Sequence, residues 1–456
     1  MSILAIELND AGILAASANL VGDAAPGCAR FNNSTIETGT AALQSARLFP
    51  HEIEYAYWHR LSLDPMTRTT ETAHTHADLA YAQLAQIYAP YKNTVDRVVI
   101  SVPSSFSSNQ LGLLLGICQR AEIPVTGLAD ASVAAVSHPV PGQRMLHVDA
   151  TNHCVLITEL VVNKGLHRAD VTRIDNVGLL DFASRWATKL GDLFVKQTRF
   201  DPLHSAQAEQ HLYNQIPAAS AAWLLGEETV AISSEDGQHT ANIEISDLSA
   251  AVAGLYQPIV NAIHGLTGSG GVTTVLLSHR LAQLPGLESL VADHAGVRVV
   301  TLDEHVVTRA LLQNVEHYES APGQFALAKS KPWQETPSVV PQTAAVSTEA
   351  PSRDLATHVL IDHSIYRLSD EPFVMGTSPT SKNSYQVTGV VKGVSRQHCS
   401  LTRRSGQVVL EDMSTFGTKV NGKPAASSQP LKVGDCVSLG NPGIEVRLVR
   451  EADTGG

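Results

Sequence analysis

The sequence predicts a two-lobed α/β body followed by a smaller, separate all-β module. Strand and helix patterns alternate over residues 1–318, and a hairpin followed by β and α segments occurs twice. Residues 319–356 are rich in proline, and residues 357–450 carry short strand patterns between turn residues. A chain of 456 residues is also longer than one ordinary domain. We therefore divide the chain at these boundaries.

The first half of the body begins with a predicted hairpin, "ILAIEL" and "GILAASA", which turns at residues 9–12. An amphipathic helix follows in "ETAHTHADLAYAQLAQIYAPY", and then a buried strand in "VDRVVISVP", which Pro103 closes. The next helix, "SSNQLGLLLGICQRAEI", has Ser107 or Ser108 as its expected N-cap. The strand "VTGLAD" then leads into the short helix "ASVAAVS".

The second half repeats that order. "QRMLHVDA" and "HCVLITELVV" predict another hairpin, and "LLDFASRWATKLGDLF" and "EISDLSAAVAGLYQPIVNAIHGL" predict helices. "VTTVLLS", "LPGLESLVADH" and "VRVVTL" complete a strand–helix–strand unit. Because the same order recurs, we expect two related α/β lobes.

The proline-rich segment is expected to be an extended linker. Proline removes a backbone donor and fixes φ, so no helix or central strand is expected there. Its prolines are Pro322, Pro332, Pro337, Pro341 and Pro351. The tail that follows carries short strands such as "HCSLTRR" and "QVVLEDM", which predict a small β-sandwich.

Charge and composition argue against several classes of protein. The net charge of −12 disfavours a general nucleic-acid binder, since a phosphate backbone would be repelled. Five scattered cysteines with no CxxC pair favour a reducing cytoplasm. The N-terminus lacks the basic start of a signal peptide, and no apolar run is long enough to cross a membrane. We expect a cytoplasmic protein.

Two stretches of the tail carry small donors and glycines that suit a phosphate ligand. Hydroxyl and N–H donors on loops, with a cation, bind phosphate well. The donors are Ser395, Arg396, Thr415 and Thr418, and the glycines are Gly417 and Gly422. A purely structural role in bracing the loops is the alternative, and it is the favoured one for His398, Asn421 and the glycines.

These residues resemble those of a forkhead-associated (FHA) domain over about residues 357–450. The matching motifs are Gly376 in "VMGTS", Ser395-Arg396-Gln397-His398, Asp412-Met413-Ser414-Thr415-Phe416-Gly417-Thr418, Val420-Asn421-Gly422 and "LKVGDCVSLG". The resemblance implies an eleven-stranded β-sandwich whose loops bind phosphothreonine peptides. By resemblance, the candidate phosphopeptide-binding residues are Thr377, Ser395, Arg396, Thr415 and Phe416.

Two departures from the FHA pattern leave its ligand open. The family usually has an arginine after the first glycine, whereas Thr377 stands here, and it often has an asparagine where Phe416 stands. Charged hydrogen bonds contribute about 1.5–3 kcal/mol, so loss of the arginine weakens phosphate binding by roughly ten- to a hundredfold. Lys382 or Lys392 would compensate only as point charges. Both phosphothreonine binding and phosphate-independent protein binding stay open.

The body resembles the ATPase domain of DnaK-type (seventy-kilodalton) heat-shock chaperones in the actin superfamily. Four segments carry the resemblance in order: "VVISVPSSFSSNQLGLLLGICQRAEIPVTGL", "ADASVAAV", "VGLLDFASRWATKL" and "TLDEHVVTRALLQ". It implies an actin-like, ribonuclease H-like two-lobed ATPase fold, with the FHA sandwich replacing the chaperone's peptide-binding domain.

The turns that would hold ATP differ from the family pattern. A phosphate needs glycine turns whose backbone approaches closely, with an acidic residue beside each turn for Mg²⁺. Here Asn9 and Asp10 occupy the first turn, Thr151 follows Asp149 in the second, and Ser278-His279 replaces the adenosine-loop glycines. By resemblance, the candidate cofactor-binding residues are Asn9, Asp10, Asp149, Thr151, Ser278 and His279, and ATP with Mg²⁺ is the cofactor they would hold.

Glu7, Asp130 and Asp149 are the candidate catalytic residues. The functional interpretation makes Glu7 and Asp149 water-mediated ligands of Mg²⁺ and makes Asp130 a group that orients water. The alternative makes all three remnants of an inactive cleft, and it is favoured because no cation or glycine flanks them in the sequence. No metal site is assigned.

The leading hypothesis is a non-catalytic adaptor with a degenerate ATPase-like body and an FHA module that recruits a protein partner. The alternative is an ATP-hydrolysing switch that reports its state to that partner through the FHA module. An active carbohydrate kinase ranks lower, since no substrate base is recognisable.

Overall fold

The first unit of the chain is built around two large β-sheets that share the same order of strand pairing. A computed structural model divides the chain into two units, Met1–Ser338 and Val339–Gly456, which are described separately. The structure describes residues 2–136, 144–224, 227, 229–267, 272–294, 296–320, 324–332, 357–361, 364–369, 371–379, 381, 383–387, 393–404, 407–415, 417–421, 423–432, 435–440 and 444–449.

The strands of the first unit are β1 (Ile3–Glu7), β2 (Leu14–Ser17), β3 (Ala29–Phe31), β4 (Ile36–Thr38), β5 (Ile53–Glu54), β6 (Arg97–Val102), β7 (Val125–Asp130), β8 (Arg144–Ala150), β9 (Cys154–Val162), β10 (Gly165–Asp175), β11 (Thr229–Ser233), β12 (Thr240–Glu244), β13 (Thr273–Leu277), β14 (Val297–Thr301), β15 (Leu327–Ala328) and β16 (Ser330–Pro332). Its helices are α1 (Thr40–Leu43), α2 (His76–Tyr88), α3 (Ser108–Arg120), α4 (Ala131–Ala135), α5 (Leu179–Thr198), α6 (Ala206–Leu224), α7 (Ile245–Leu266), α8 (His279–Ala282), α9 (Leu287–Ala292), α10 (Val306–Gln313) and α11 (Val315–Tyr318).

The same pairing scheme occurs in both large sheets, as the sequence predicts. In the first sheet, of order β15-β7-β6-β1-β2, β1 is antiparallel to β2 and parallel to β6. In the second, of order β14-β13-β8-β9-β10-β16, β8 is antiparallel to β9 and parallel to β13. In each sheet a central strand, β1 or β8, therefore begins a hairpin and has a parallel strand on its other side.

Helix ends in the first lobe follow the expected capping chemistry. Ser107 is the N-cap of α3, and its hydroxyl accepts from the backbone N–H of Gln110 while the Gln110 side chain accepts in return. Thr75 and Asp78 form the same reciprocal arrangement at α2. These caps fix where each helix leaves its preceding loop.

The second lobe has a core of large apolar side chains between its sheet and two long helices. Phe182 and Trp186 of α5 pack with Tyr256 of α7 against the sheet residues Leu146 and Val148. The hairpin β11–β12 adds Ile232 and Ile243 to this core, and α6 adds Leu212. This packing fixes the start of α5 beside the turn between β8 and β9.

Part of the segment predicted as linker pairs with the first unit. Leu327–Ala328 lies parallel to β7, and Ser330–Pro332 lies antiparallel to β10. Both are edge strands, which is where a strand that contains proline can be tolerated. Residues 327–328 and 330–332 of this segment are thus edge strands of the first unit, and residues 333–356 lie outside the described part.

The second unit is a sandwich of two sheets. Its described residues form eleven strands: β17 (His358–Ile361), β18 (Ser364–Arg367), β19 (Phe373–Gly376), β20 (Ser384–Gln386), β21 (Cys399–Arg404), β22 (Gln407–Asp412), β23 (Thr418–Val420), β24 (Lys423–Pro424), β25 (Ser428–Leu431), β26 (Cys436–Leu439) and β27 (Ile444–Val449). The sheet orders are β18-β17-β27-β26-β23-β24 and β20-β19-β21-β22-β25. Phe373, Met375, Leu401, Leu410 and Val446 fill the core.

The expected lack of a membrane segment agrees with the described helices. Among the described residues, no helix is both long enough and apolar enough to cross a bilayer.

Candidate functional site

The two hairpin turns predicted to hold phosphates instead bind each other. The Asn9 side-chain amide donates to the Asp149 carboxylate and to the Ala150 carbonyl, each at 3.0 Å. In return, Asn152 donates from its backbone N–H to the Asp10 carboxylate and from its amide to the Asp10 carbonyl, both at 2.7 Å. All of these side chains are buried. The turns therefore fasten the two sheets together at the predicted nucleotide site.

Arg280, which sequence analysis did not assign to the site, lies at its centre. Its guanidinium is 2.9 Å from Glu7 and 3.4 Å from Asp149, and it donates to the Gly12 carbonyl at 3.2 Å. The exposed fractions of Arg280 and Glu7 are only 6% and 3%. The guanidinium thus contacts both hairpins and neutralises charge between them.

The pKa shifts at the site follow from this burial and pairing. Burial raises the pKa of Glu7, although Arg280 opposes the rise. Burial acts in the same direction on Asp149, but Arg280, His147 and a Ser278 hydrogen bond together hold its pKa below the ordinary value. The pKa of Arg280 is raised, because Glu7 and Asp149 outweigh its own desolvation. Arg280 and Asp149 thus form a charged pair.

Asp130 lies apart from that cluster and has its own cation. Arg168 is 2.6 Å from its carboxylate, and the Ser104 hydroxyl donates to it at 2.8 Å. Asp130 is also the N-cap of α4, where its side chain accepts from the Ser132 N–H at 3.0 Å. Although no cation flanks the three carboxylates in the sequence, Arg168 and Arg280 reach them from distant parts of the chain.

The other candidate cofactor-binding side chains have local partners. The Thr151 hydroxyl accepts from the Cys154 N–H at 3.1 Å. Ser278 caps α8 by accepting from the Leu281 N–H at 3.4 Å. Burial and the nearby Arg280 lower the pKa of His279 to about 4, so its imidazole is neutral at pH 7. These groups brace the turns from which they project.

Four of the five candidate phosphopeptide-binding residues come together in the second unit. The Thr377 N–H donates to the Ser395 carbonyl at 3.1 Å, and the Thr415 N–H donates to the Ser395 hydroxyl at 3.1 Å. Arg396 is exposed next to Ser395, and the hydroxyls of Ser395 and Thr415 lie 3.5 Å apart. Phe416, like Lys382 and Lys392, lies outside the described residues. Three loops thus place hydroxyls beside one arginine.

Two buried residues hold these loops in place. An added Cβ on Gly376 would lie 2.2 Å from the Arg396 carbonyl, so only glycine allows the first two loops to approach this closely. The His398 ring accepts from the Ser395 N–H through Nδ1 at 3.1 Å, and the ring is buried. His398 therefore braces the Ser395 loop, as expected.

The Thr418 side chain does not join the cluster of Ser395, Arg396 and Thr415. Its N–H and its hydroxyl both donate to Asp412, at 3.1 and 2.8 Å, and the side chain is buried. The expectation that Thr418 offers a donor to a ligand is therefore wrong. Over the described residues, no group of His, Cys, Asp and Glu side chains is arranged to hold a metal ion.

Comparison with known proteins identifies one region of the chain. No curated protein matches the chain. A family model of the FHA domain matches residues 373–440, the part that contains the Ser395, Arg396 and Thr415 loops. Residues 373–440 are therefore an FHA domain, a protein-interaction module.

Proposed function

We propose that this protein is an adaptor that joins a partner-binding FHA domain to a degenerate ATPase-like body. In this proposal the body is an actin-like frame of the DnaK-type chaperone class that does not bind nucleotide. The observation that carries it is the position of Arg280 between Glu7 and Asp149. The cytoplasm remains the expected location.

The repeated strand order supports the actin-like interpretation of the body. Each sheet has a central hairpin strand with parallel strands on its other side. Two residues from the segments that carry the chaperone resemblance lie at the ends of elements. Asp130 ends β7, and Gly178 is the N-cap of α5, where an added Cβ would lie 2.2 Å from the Asn152 carbonyl. Such close approach explains the glycine at this helix start.

The buried ion pairs support the loss of nucleotide binding. Mg²⁺ bound to ATP phosphates needs carboxylates that face its water ligands. Here the carboxylates of Glu7 and Asp149 face a guanidinium instead, and Asn9 and Asn152 close the space between the hairpins. Mg-ATP would therefore have to displace the guanidinium from both carboxylates before they could face the ion.

Isothermal titration with Mg-ATP tests the body. We expect no binding heat for the wild-type protein at concentrations up to the millimolar range. A micromolar or tighter signal that is lost in the isosteric variant Asp149→Asn would refute the adaptor proposal and favour the ATP-dependent switch. Turnover of ATP to ADP in the same sample would have the same meaning.

The loop cluster of the second unit supports phosphothreonine as the FHA ligand. Ser395 and Thr415 offer hydroxyls, and the exposed Arg396 offers a charged donor. Thr377 stands where the family's phosphate-binding arginine is usual, so binding is expected to be weak.

Fluorescence anisotropy with a degenerate phosphothreonine peptide library tests this ligand. We expect Thr377→Arg to tighten binding by roughly ten- to a hundredfold, because it restores a charged hydrogen bond. Ser395→Ala should weaken it, and Thr377→Ala is the matched control for the mutated position. Equal affinity for the unphosphorylated library would contradict the proposal and favour phosphate-independent recognition.

A further inference from the structure

A cavity of about 390 Å³ lies in the first unit beside the fastened hairpins. Ala11 and Asn152, one from each hairpin turn, form its floor. One wall comes from residues 40–47, and the other comes from α5 and α6. Cavities of roughly 300–1,000 Å³ are the usual size for small-molecule sites.

Apolar side chains dominate both walls. Leu43 and Ala46 line it from residues 40–47, and Leu180, Ala183 and Ile216 line it from the helices. Removing apolar ligand surface from water against such walls is favourable, at about 25 cal/mol per Å². The walls therefore suit a ligand with a compact apolar body.

Hydrogen bonds from Gln210 hold the two walls at a fixed separation. Its carbonyl oxygen accepts from the Arg47 N–H at 2.7 Å, and its amide donates to the Leu43 carbonyl at 3.1 Å. Gln210 is buried, so these bonds are shielded from water. The cavity is thus a built space rather than a loose gap between lobes.

Arg47 is the only charged side chain among the described residues that line the cavity. Its guanidinium lies 3.7 Å from the centre of the Tyr213 ring, which fixes its plane. Its ion pair with Glu209 is long, at 3.5 Å, and both side chains are about one-third exposed. A pair of this kind contributes little, so the guanidinium can bind a second anion.

The Cys28 thiol and the Tyr55 hydroxyl, which also line the cavity, stay neutral. Burial raises the pKa of the Cys28 thiol to about 12 and raises that of the Tyr55 hydroxyl as well. The site therefore presents one positive charge next to an apolar space. This charge pattern does not match a nucleoside triphosphate, which carries several negative charges.

We propose that this cavity binds a small, largely apolar carboxylic acid. The carboxylate meets the Arg47 guanidinium, and the apolar body lies against Leu43, Leu180 and Ile216. The proposal goes beyond the adaptor function, since it assigns the body a ligand of its own. It does not depend on what the FHA domain binds.

Isothermal titration of the full-length protein with 2-naphthoate tests the proposal. We expect saturable binding, with the uncharged analogue 2-naphthalenemethanol at least tenfold weaker because it lacks the charged hydrogen bond to Arg47. Failure of 2-naphthoate to bind, or equal binding of the two probes, would overturn the proposal.

Two variants locate the binding site. Ala183→Trp fills the cavity and should abolish binding, whereas Ser184→Trp, at the exposed neighbouring position on α5, should not. Arg47→Gln should lower the affinity for 2-naphthoate to that of the alcohol. Should Ala183→Trp misfold, Arg47→Gln alone decides, and unchanged 2-naphthoate affinity in that variant would refute the site.

Titration of ATP into the same samples separates the two proposals. Heat from ATP would refute the nucleotide-free body and leave the carboxylate site standing. Absence of 2-naphthoate binding with no ATP heat would refute the carboxylate site and leave the adaptor proposal standing.

Discussion

Arg280 is the residue that joins the two hairpins of the first unit electrostatically. It is one cation between two buried carboxylates, and it also donates to the Gly12 carbonyl. A buried ion pair is weak evidence of net stabilisation, since desolvation offsets the attraction. Removing only one partner is different, because the other charge then remains buried without compensation. Arg280 is therefore far more sensitive to substitution than a surface arginine.

Replacing Arg280 by methionine keeps much of the side-chain length and removes the charge. We expect Arg280→Met to lower the free energy of unfolding by about 3–5 kcal/mol at pH 7, since Asp149 is left charged and buried. Urea denaturation followed by tryptophan fluorescence measures this change.

Arg309→Met is the matched control for that substitution. Arg309 pairs with Asp303 at 3.1 Å, but both side chains are more than half exposed. Its removal should leave the unfolding midpoint within experimental error. A similar loss of unfolding free energy in the two variants would show that the burial of Arg280 does not cause its large effect.

Local patterns predicted most elements of the first unit, whereas contacts between distant segments escaped them. The hairpins, the N-cap of α3 and the helix α5 are each specified within a short window of residues. The helix α6 and the strands β10, β11 and β12 were not predicted. Pro217 lies inside α6, and a proline in a helix interior normally argues against a helix.

The candidate sites show the same limit. The Ser395 and Thr415 loops follow a spaced motif, so the sequence located them. Arg280 belongs to no such motif, and its partners Glu7 and Asp149 lie in other parts of the chain. The one hint in the sequence was Arg280, which directly follows Ser278-His279. The chaperone resemblance leads us to expect two glycines at Ser278-His279. Sequence spacing cannot show which carboxylate that arginine reaches.

The loop between β20 and β21 gives a pH-dependent prediction at the scale of the element. Burial lowers the pKa of His398 from its ordinary value of 6.5. The neutral ring is the form that accepts from the Ser395 N–H. Above pH 6.5 the ring is neutral in both the folded and unfolded states. As the pH falls below 6.5, the unfolded state binds a proton before the folded state does. The free energy of unfolding therefore falls until the pH is below the lowered pKa of the folded state.

We therefore expect acidification from pH 7.5 to pH 5 to lower the melting temperature of the second unit. The variant His398→Asn should lose much of this dependence, because an amide oxygen can accept from Ser395 without titrating. Differential scanning calorimetry across that range measures both proteins. An identical pH dependence in the variant would assign the effect to other groups.

At the scale of the whole molecule, each unit has its own core and its own spectroscopic content. All four tryptophans, Trp58, Trp186, Trp223 and Trp333, precede residue 339 in the sequence, where the second unit begins. The core of the second unit instead contains Phe373 and is bordered by Tyr366 and Tyr385. Tryptophan fluorescence therefore reports the unfolding of the first unit alone.

This separation distinguishes an adaptor from a switch. A phosphothreonine peptide at 100 times its dissociation constant should stabilise the FHA domain by about 2.7 kcal/mol, visible by calorimetry. In an adaptor, the tryptophan-detected midpoint should stay unchanged by the same peptide. A shift of that midpoint would show energetic coupling between the units, and the switch hypothesis would then gain support.

The guanidinium between Glu7 and Asp149 has one further consequence. Because it is attached to the backbone, its presence there does not vary with cellular supply, and no exchange factor can release it. Under the adaptor proposal, the first unit therefore has no nucleotide-hydrolysis step to set how long it stays in one state. If the FHA ligand is phosphothreonine, as proposed, that duration is set instead by the kinases and phosphatases that act on the partner.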